Sequence, residues 1–505
     1  MMPVVERVLA HGERPAIVDP AGTWTYADLA TRSADLGREL LGSRSDVAEA
    51  RVGLLCTPGH DFVVATLACW RAGGIAVPMN PSHPDAELDY VMGDAGVEVL
   101  LASSTHLARA ERIASSHGAV ARAVAPRDDA CAKRDEEQRS VLPKVDPGRR
   151  AMMVYTSGTT GRPKGVVHTH TSLAAQIEGL VDVWAWSAGD RILLVLPLHH
   201  VHGIVNVVLC ALWAGAVCEA PGGFDAVPTW ERFASGGLTL FMAVPTVYTR
   251  LIAAWESGDE EERHAWSAGA SGLRLMVSGS AALPVSVLDR WREITGHVLL
   301  ERYGMTEIGM GLSNTLTRRV RGHVGEPLPA VEARLVDDAG ADVPDGQPGE
   351  LLVRGPQLFL EYWGRADETR DAFVDRWFRT GDVAVRDPAG YRILGRASVD
   401  IVKTGGEKVS ALEIEEVFRT HSDVDDCAVV GVPDHEWGER VCAAIVSARG
   451  RDVDADELRA WGKERLAAYK VPLRFVFVEE LPRNAMGKVT KPAVSALFAG
   501  TTSRG

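Results

Sequence analysis

Apolar positions recur along the first hundred or so residues in two alternating rhythms. Over Tyr26 to Leu41, Leu29, Leu36 and Leu40 share one helical face, and Gly42 supplies the stop, so the spacing predicts a helix. His60 to Arg71 repeats the pattern before Gly73-Gly74, and the short run Ile75-Ala76-Val77 follows as a predicted buried strand. Asp85 to Asp94 and Val97 to Leu101 form the next pair. Helices alternating with short apolar runs imply an α/β chain whose mainly parallel sheet is covered on both faces. Ala151 to Val154, Arg274 to Val277 and Val298 to Leu300 read as further buried strands. The stretch from Pro126 to Arg150 turns charged and reads as a surface excursion; Glu256 to His264 reads as a second one, a solvated acidic loop. After about Gly395 the pattern restarts, with a strand at Ile401-Val402, a helix over Leu412 to Thr420, a strand at Ala428 to Val432 and a helix over Ala455 to Leu466. A smaller C-terminal domain of roughly the last hundred residues follows from that restart.

Composition narrows the partners. At 505 residues, 46% hydrophobic and 24% charged, the chain reads as a soluble globular protein of at least two domains. Its net charge of −14 opposes general affinity for nucleic acid or anionic membranes. An anionic ligand must therefore meet a local cluster of positive groups. Cys56, Cys69, Cys131, Cys210, Cys218, Cys427 and Cys442 show no CxxC or zinc spacing and read as reduced, mostly buried thiols, so a cytoplasmic location is expected. Met1 to His11 has no secretory signal pattern, and the apolar run Ile204 to Val217 contains Asn206 and Gly215 and is short for a bilayer span, so no membrane anchor is expected.

The chemistry concentrates in Tyr155-Thr156-Ser157-Gly158-Thr159-Thr160-Gly161-Arg162-Pro163-Lys164-Gly165, just after the strand Ala151 to Val154. Glycines bring backbone N–H groups close to an anion, hydroxyls add donors and Lys164 adds a cation, so the stretch suits a phosphate. A polar turn is the bland alternative for any such cluster. The spacing differs from GxxxxGK followed by Ser or Thr, which disfavours an ordinary P-loop NTPase.

Two further strand ends carry polar residues, Ser278-Gly279-Ser280-Ala281 and Glu301-Arg302-Tyr303-Gly304-Met305-Thr306-Glu307, and open α/β sheets bind ligands beyond such carboxyl ends. Tyr303 could stack on a base, Thr306 donate to a phosphate and Glu307 hold magnesium, which prefers one carboxylate plus phosphate oxygens to an all-protein cage. Asp382 in Trp377 to Asp382 could accept from a ribose diol. Thr404-Gly405-Gly406-Glu407-Lys408 is either a close-approach loop or a hairpin turn. His199, His200 and His202 suggest a metal at first sight. However, His199 and His200 would point apart on a strand and nothing completes a site, so packed histidines are favoured, with His200 left facing the ligand pocket.

TSGTTGRPKG, ERYGMTE, WFRTGD, GR followed by TGGEKVSALEIE, and PRNAMGK stand in the order and approximate spacing of the adenylate-forming acyl-CoA synthetases, which the chain resembles over nearly its whole length. ERYGMTE preceded by SGSA, and GRASVDIVKTGGEKVSALEIEE, look most like the malonyl-CoA synthetases, including activity on methylmalonate. The resemblance implies a large domain, 1–395, of αβαβα layered sheets plus a β-barrel-like subdomain, and a small mobile α+β domain, 396–505. It implies ATP and CoA as co-substrates, Mg2+ as cofactor, and no obligatory protein partner.

By that resemblance Thr156, Ser157, Gly158, Thr159, Thr160 and Lys164 hold the β- and γ-phosphates and Thr306 the α-phosphate. Glu307 takes the metal, Asp382 and Arg396 the ribose, and Gly279, Ser280 and Ala281 with Glu301, Tyr303, Gly304 and Met305 surround the adenine. Lys488 bridges carboxylate and α-phosphate, and Thr404, Gly405, Gly406, Glu407 and Lys408 line the path of CoA. The pivot between domains falls at Ser398 or Val399, because this chain departs from the family pattern after Arg396.

A dicarboxylate bound through one end buries a second anion, which is costly unless a fixed cation meets it. Arg302 and Arg250 are expected as that clamp, with Ser278 and His200 assisting; an arginine fork pairs bidentately with a carboxylate. A synthetase for another short acid, a carrier-protein-loading enzyme and a non-catalytic nucleotide-binding relative are the competing readings. The second lacks an acid in Leu196 to Gly203 to hold an amino group, and the third is at odds with Lys164, Glu307 and Lys488 all being present.

Overall fold

A computed structural model describes residues 2–124, 141–156, 162–405, 407–435, 437–448, 451, 453–483 and 489–498. The helices Tyr26–Leu41, His60–Ala72 and Asp85–Ala95 and the strands Ile75–Pro78 and Val99–Ala102 stand where the periodicity predicts them. Thr25 accepts from the N–H of Asp28 and Asp28 accepts in return, so Tyr26–Leu41 starts on a capping box and ends at Gly42.

Two large sheets organise the chain. The seven-stranded sheet runs Glu361–Tyr362, Lys164–Thr169, Arg150–Thr156, Ile75–Pro78, Arg51–Leu55, Val99–Ala102, Val120–Ala123. In the nine-stranded sheet, Leu300–Met305, Leu275–Ser278, Leu240–Ala243, Arg191–Leu193, Val217–Glu219 and Pro15–Asp19 lie parallel in that order. Alternate residues of each strand serve different cores. Met242, Val277 and Leu300 face inward with Leu54, Ala76 and Val154 of the other sheet, and Leu67, Ile177 and Leu209 fill the layer between. Phe241 and Met276 face outward onto Trp230, Tyr248, Trp266 and Trp291. Val77, Leu100 and Met153 face outward onto Leu88, Met92 and Ile113. Strands buried on both faces read as continuous apolar runs, and the layers follow the αβαβα order expected.

Glu332–Val336, Gly349–Arg354, Trp377–Asp387, Phe373–Val374 and Gly390–Arg396 build an antiparallel sheet with its own core of Leu351, Val353, Phe378 and Tyr391, the place of the expected barrel-like part. The C-terminal portion is α+β. Its sheet of Glu407–Ser410, Ile401–Thr404, Gly438–Ser447, Val424–Asp434 and Arg474–Val478 packs on Ile414, Phe418 and Leu458. Thr404 pairs with Glu407 across an antiparallel ladder, and Gly405 lies in a turn between the two strands, which fits the hairpin, one of the two readings left open. Glu416 of this portion accepts a 2.8 Å hydrogen bond from the N–H of Val285, the first residue of the helix Val285–Thr295.

Three expectations need correction. Glu256 to His264 is not a loop: Glu256 closes the helix Pro245–Ser257, and Glu260–Ser271 is a second helix. Asp259 accepts from the N–H of Glu262 at 2.9 Å, and Glu262 accepts from the N–H of Asp259 at 3.0 Å. The acids therefore occupy the first turn, where the helix dipole favours them, and Trp266 one turn on is buried against Trp230. Glu301 to Met305 does not follow a strand but forms one, because Gly309–Ser313 pairs with it antiparallel. His199 and His200 do not point apart. They lie in a turn, where strand alternation does not apply, and their rings are 3.9 Å apart. Among the described residues no helix is long and apolar enough to cross a membrane.

Replacing Asp259 by Ala removes the cap of Glu260–Ser271 and is expected to lower unfolding stability by about 1 kcal/mol in a denaturant titration. An unchanged midpoint would mean that Trp266 packing alone sets that helix.

Candidate active site

The strands Arg150–Thr156 and Lys164–Thr169 pair antiparallel and bring Thr156 opposite Lys164, so the two ends of the glycine-rich stretch close on each other. Ser157, Gly158, Thr159 and Thr160 lie outside the described residues. The flanks are tied down: Tyr155 donates to Asp94 at 2.7 Å and Tyr90 donates to the carbonyl of Pro163 at 2.7 Å. The Lys164 ammonium pairs with Glu368 and lies 5.1 Å from the centre of the Tyr362 ring.

Thr306 and Glu307 sit in the turn after Leu300–Met305, facing that lysine. Tyr362 donates to Oε1 of Glu307 at 2.9 Å, and burial raises the Glu307 carboxyl above the ordinary glutamate range. The N–H of Phe359 donates to the carbonyl of Glu307 at 2.8 Å, and Nε2 of buried His168 lies 2.8 Å from the carbonyl of Thr306. Burial pushes His168 down to about 4, which keeps it neutral. Glu307 is therefore a lone, braced carboxylate beside a lysine. That suits a magnesium ion completed by phosphate oxygens, and among the described residues no three His, Cys, Asp or Glu gather as a cage.

Tyr303, Asp382 and Arg396 come together from distant parts of the chain. The Tyr303 hydroxyl donates to Oδ2 of Asp382, and Nε of Arg396 donates to Oδ1 at 3.1 Å. One carboxylate thus orients an aromatic ring and a guanidinium.

Arg302 is 4% exposed, and among the described residues no carboxylate pairs with it. Burial lowers its pKa to about 9, so it remains charged at neutral pH. Its guanidinium lies flat on Gly279, where a Cβ would fall 2.4 Å from Cζ; only glycine permits that approach. Nη2 reaches Ser280 Oγ at 3.5 Å, and Nδ1 of His202 lies 3.1 Å from the same hydroxyl. Arg302 Nε and Ser278 Oγ are buried with no hydrogen-bond partner among the described residues, leaving two donors free for an anion. His202 opens a π-helical segment, His202–Leu209, a geometry frequent at functional sites. His200 is half-buried against His199, which burial pushes to about 2 and holds neutral.

The remaining expected residues scatter. Arg250 is exposed on Pro245–Ser257, two positions after Tyr248, which points inward to donate to the carbonyl of Val277. Ala281 is exposed after the Ser278 strand, and Gly304 lies against the carbonyl of Gly309. Glu301 is buried and accepts from the N–H of Gly322 at 2.9 Å, on the other side of the strand from Arg302. Thr404 is buried, Gly405 packs beneath Trp437, and Glu407 is exposed; Lys408 lies in the same strand as Glu407. Gly406 and Lys488 fall outside the described residues. Ser398 and Val399 lie in a turn that Asp400 closes by accepting from the N–H of Arg396 at 3.0 Å.

A family profile described as "AMP-binding enzyme" matches residues 4–363, and "AMP-binding enzyme C-terminal domain" matches 413–488. This chain belongs to the AMP-binding enzyme family. It is 45% identical to the mitochondrial malonate–CoA ligase ACSF3 of Homo sapiens, over 98% of this chain and 92% of that one. It is 42% identical to a malonate–CoA ligase of Arabidopsis thaliana, over 88% of this chain and 77% of that one. Among solved structures, ATP-bound MatB from Rhodopseudomonas palustris superposes with a TM-score of 0.88 at 33% identity, covering 99% of each chain.

Several residues that the sequence did not announce stand among those gathered above. Tyr362, Glu368, His168 and Gln176 carry no motif, and Tyr362 stands 55 positions from the Glu307 it touches. The pairing of Glu361–Tyr362 with Lys164–Thr169 brings Tyr362 beside the strand that carries His168.

Burial raises the Glu301 carboxyl from 4.5 to about 7. The folded state then holds a proton that the unfolded chain releases, so stability falls as pH rises from about 4.5 through 7. Glu301→Gln is expected to remove that slope and to raise stability at pH 8 by roughly 1–3 kcal/mol. Parallel pH-stability curves for the two proteins would contradict the assignment.

Proposed function

We propose that this protein is an AMP-forming malonate–CoA ligase, and that Arg302 is the group selecting the acid. The buried, unneutralised Arg302 guanidinium beside Gly279 carries the reading. A charge held out of water without a counter-ion is costly, and a second carboxylate supplies the counter-ion; acetate leaves the cost in place. The fork, with Ser278 and Ser280 hydroxyls nearby, suits bidentate capture. Arg250, exposed on Pro245–Ser257, we keep as the second member of the clamp, and His200 as an assisting group. Methylmalonate, with the same two carboxylates, is the second substrate we assign.

The reaction runs in two steps. A malonate oxygen attacks the α-phosphorus of ATP, the bond to the bridging oxygen breaks and diphosphate leaves, giving malonyl-adenylate. The CoA thiol then gives up its proton, the sulfur attacks the acyl carbon, and AMP leaves. In the first step Thr156 to Thr160 and Lys164 hold the β- and γ-phosphates, with Lys164 exchanging Glu368 for phosphate oxygens. Thr306 donates to the α-phosphate and Lys488 stabilises the charge gathering between carboxylate and phosphorus, the kind of term that matters most in a water-poor site. Asp382 and Arg396 receive the ribose; Tyr303 with Gly279, Ser280, Ala281, Glu301, Gly304 and Met305 surround the adenine. Glu307 is the residue we assign to Mg2+, which when bound neutralises and polarises the phosphate oxygens. In the second step the hairpin of Thr404, Gly405, Gly406, Glu407 and Lys408 guides the pantetheine arm.

We divide the chain at 395/396. Gly390–Arg396 ends the antiparallel sheet, the turn carrying Ser398 and Val399 follows, and the core around Val402 includes no earlier residue. Mobility of the small domain about that turn is part of the proposal. The described cysteines are free and buried, which fits a reducing compartment; cytoplasm is our assignment, although the vertebrate relatives are named as mitochondrial.

Two measurements test the reading. Arg302→Ala is expected to cut kcat/KM for malonate at least about thirtyfold more than for acetate. Equal losses on both acids would end the clamp. Lys488→Ala is expected to abolish malonate-dependent ATP–diphosphate exchange while preformed malonyl-adenylate is still converted to thioester. Persistence of the exchange would remove Lys488 from the first step.

A further inference from the structure

Thr306 is held from behind by a buried relay that no motif contains. His168 is fully buried, and its Nε2 lies 2.8 Å from the carbonyl of Thr306. A carbonyl only accepts, so Nε2 carries the proton and Nδ1 is the acceptor. The side-chain amide of Gln176 lies 3.2 Å from Nδ1 and also donates to the carbonyl of Gln357 at 3.0 Å. Those two acceptors use both amide hydrogens of Gln176 and set its orientation, which in turn steadies the imidazole ring. Gly309, at φ +59°, lies flat against the same amide, where a Cβ would fall 2.3 Å from its carbon. The turn from Thr306 to Gly309 therefore rests on His168 and Gln176 as on a plate.

We propose that His168 is a positioning residue for adenylate formation: its Nε2–H fixes the Thr306–Glu307 peptide, and with it the aim of the Thr306 hydroxyl and the Glu307 carboxylate. The geometry supports this from two sides. Phe359 N–H holds the carbonyl of Glu307 at 2.8 Å, and Phe359 stands two residues from Gln357, where the His168 relay ends. Lys164 and His168 also begin and nearly end one six-residue strand. Phosphate contacts from the glycine-rich stretch and from the Thr306 turn are thereby held at a set separation by a single rigid element. Reaction geometry is sensitive at that scale, and partners that orient a ligand group cost about tenfold to a hundredfold when removed.

The inference rests on Thr306 and Glu307 serving the phosphate and metal end of the site, and the two can fail separately. A glutamine amide reaches about as far as imidazole Nε2, whereas an asparagine amide reaches only as far as Nδ1. His168→Asn is therefore expected to lower malonate-driven ATP–diphosphate exchange about tenfold to a hundredfold in kcat, with KM for malonate within about twofold. His168→Gln is expected to recover most of that loss. Conversion of preformed malonyl-adenylate to thioester should stay within about twofold in both, since Thr306 acts before that step. Calorimetry with α,β-methylene-ATP and Mg2+ should show weaker binding to His168→Asn than to His168→Gln. Equal losses in the two variants, or equal losses in both half-reactions, would reduce His168 to a packing residue and overturn the proposal. Should His168→Asn not fold, Gln176→Leu, which leaves the imidazole but removes the amide that holds its Nδ1 edge, is expected to give the same split, and its absence would overturn the proposal equally. Glu307→Gln in the same exchange assay is the separate check: full exchange there would remove the site assignment itself, whatever His168 does.

Discussion

The Arg302 guanidinium, buried with no carboxylate paired to it among the described residues, is the constraint around which the proposed acid pocket is arranged. Arg302 is held by its strand, pressed onto Gly279 and touched by the Ser280 hydroxyl, yet none of these supplies a negative charge. Burial already weakens its hold on its proton. A protein interior tolerates such a group only when the deficit serves something. On the proposed reading the deficit makes a two-headed acid worth more than a one-headed one, because only the former returns the missing charge.

The nucleotide end follows the opposite logic. Lys164 is paired with Glu368, Arg396 with Asp382, and Glu307 accepts a hydrogen bond from the Tyr362 hydroxyl. These cations and acids neutralise one another in the absence of a nucleotide, so an acidic chain of net charge −14 keeps a cleft that is locally balanced. On the proposed reading, triphosphate binding exchanges these partners rather than meeting bare charge.

Rigidity connects the two. Leu300–Met305 carries Arg302 and leads directly into the turn of Thr306 and Glu307. Lys164–Thr169 delivers Lys164 at one end and His168 near the other. Each strand is packed on both faces or edge-paired, so neither end moves without the other. The small α+β portion touches this core through Glu416 at the first turn of Val285–Thr295, and also through Ser410, which donates to the carbonyl of Leu394.

Local rules carried a good part of the structure. Helix stops at Gly42 and Gly73, the alternation before Ile75 and the restart after Gly395 depend on neighbours in sequence, and each stands where the pattern put it. The acid run at Glu260 misled for the same local reason: acidic composition resembles a solvated loop until Asp259 is recognised as a cap. The motifs named Arg302, Thr306, Glu307, Asp382 and Lys164, since glycine spacing, a lysine and a lone acid are chemistry written along the chain. Their partners were not so written. Gly279 beneath Arg302, Tyr362 on Glu307, and His168 with Gln176 behind Thr306 are joined by sheet register across tens to well over a hundred positions. The sequence determined which groups could react and most of the elements bearing them; only tertiary packing decided which were buried, which were neutralised and which were left charged. Burial and pairing are sums over neighbours that linear order does not record.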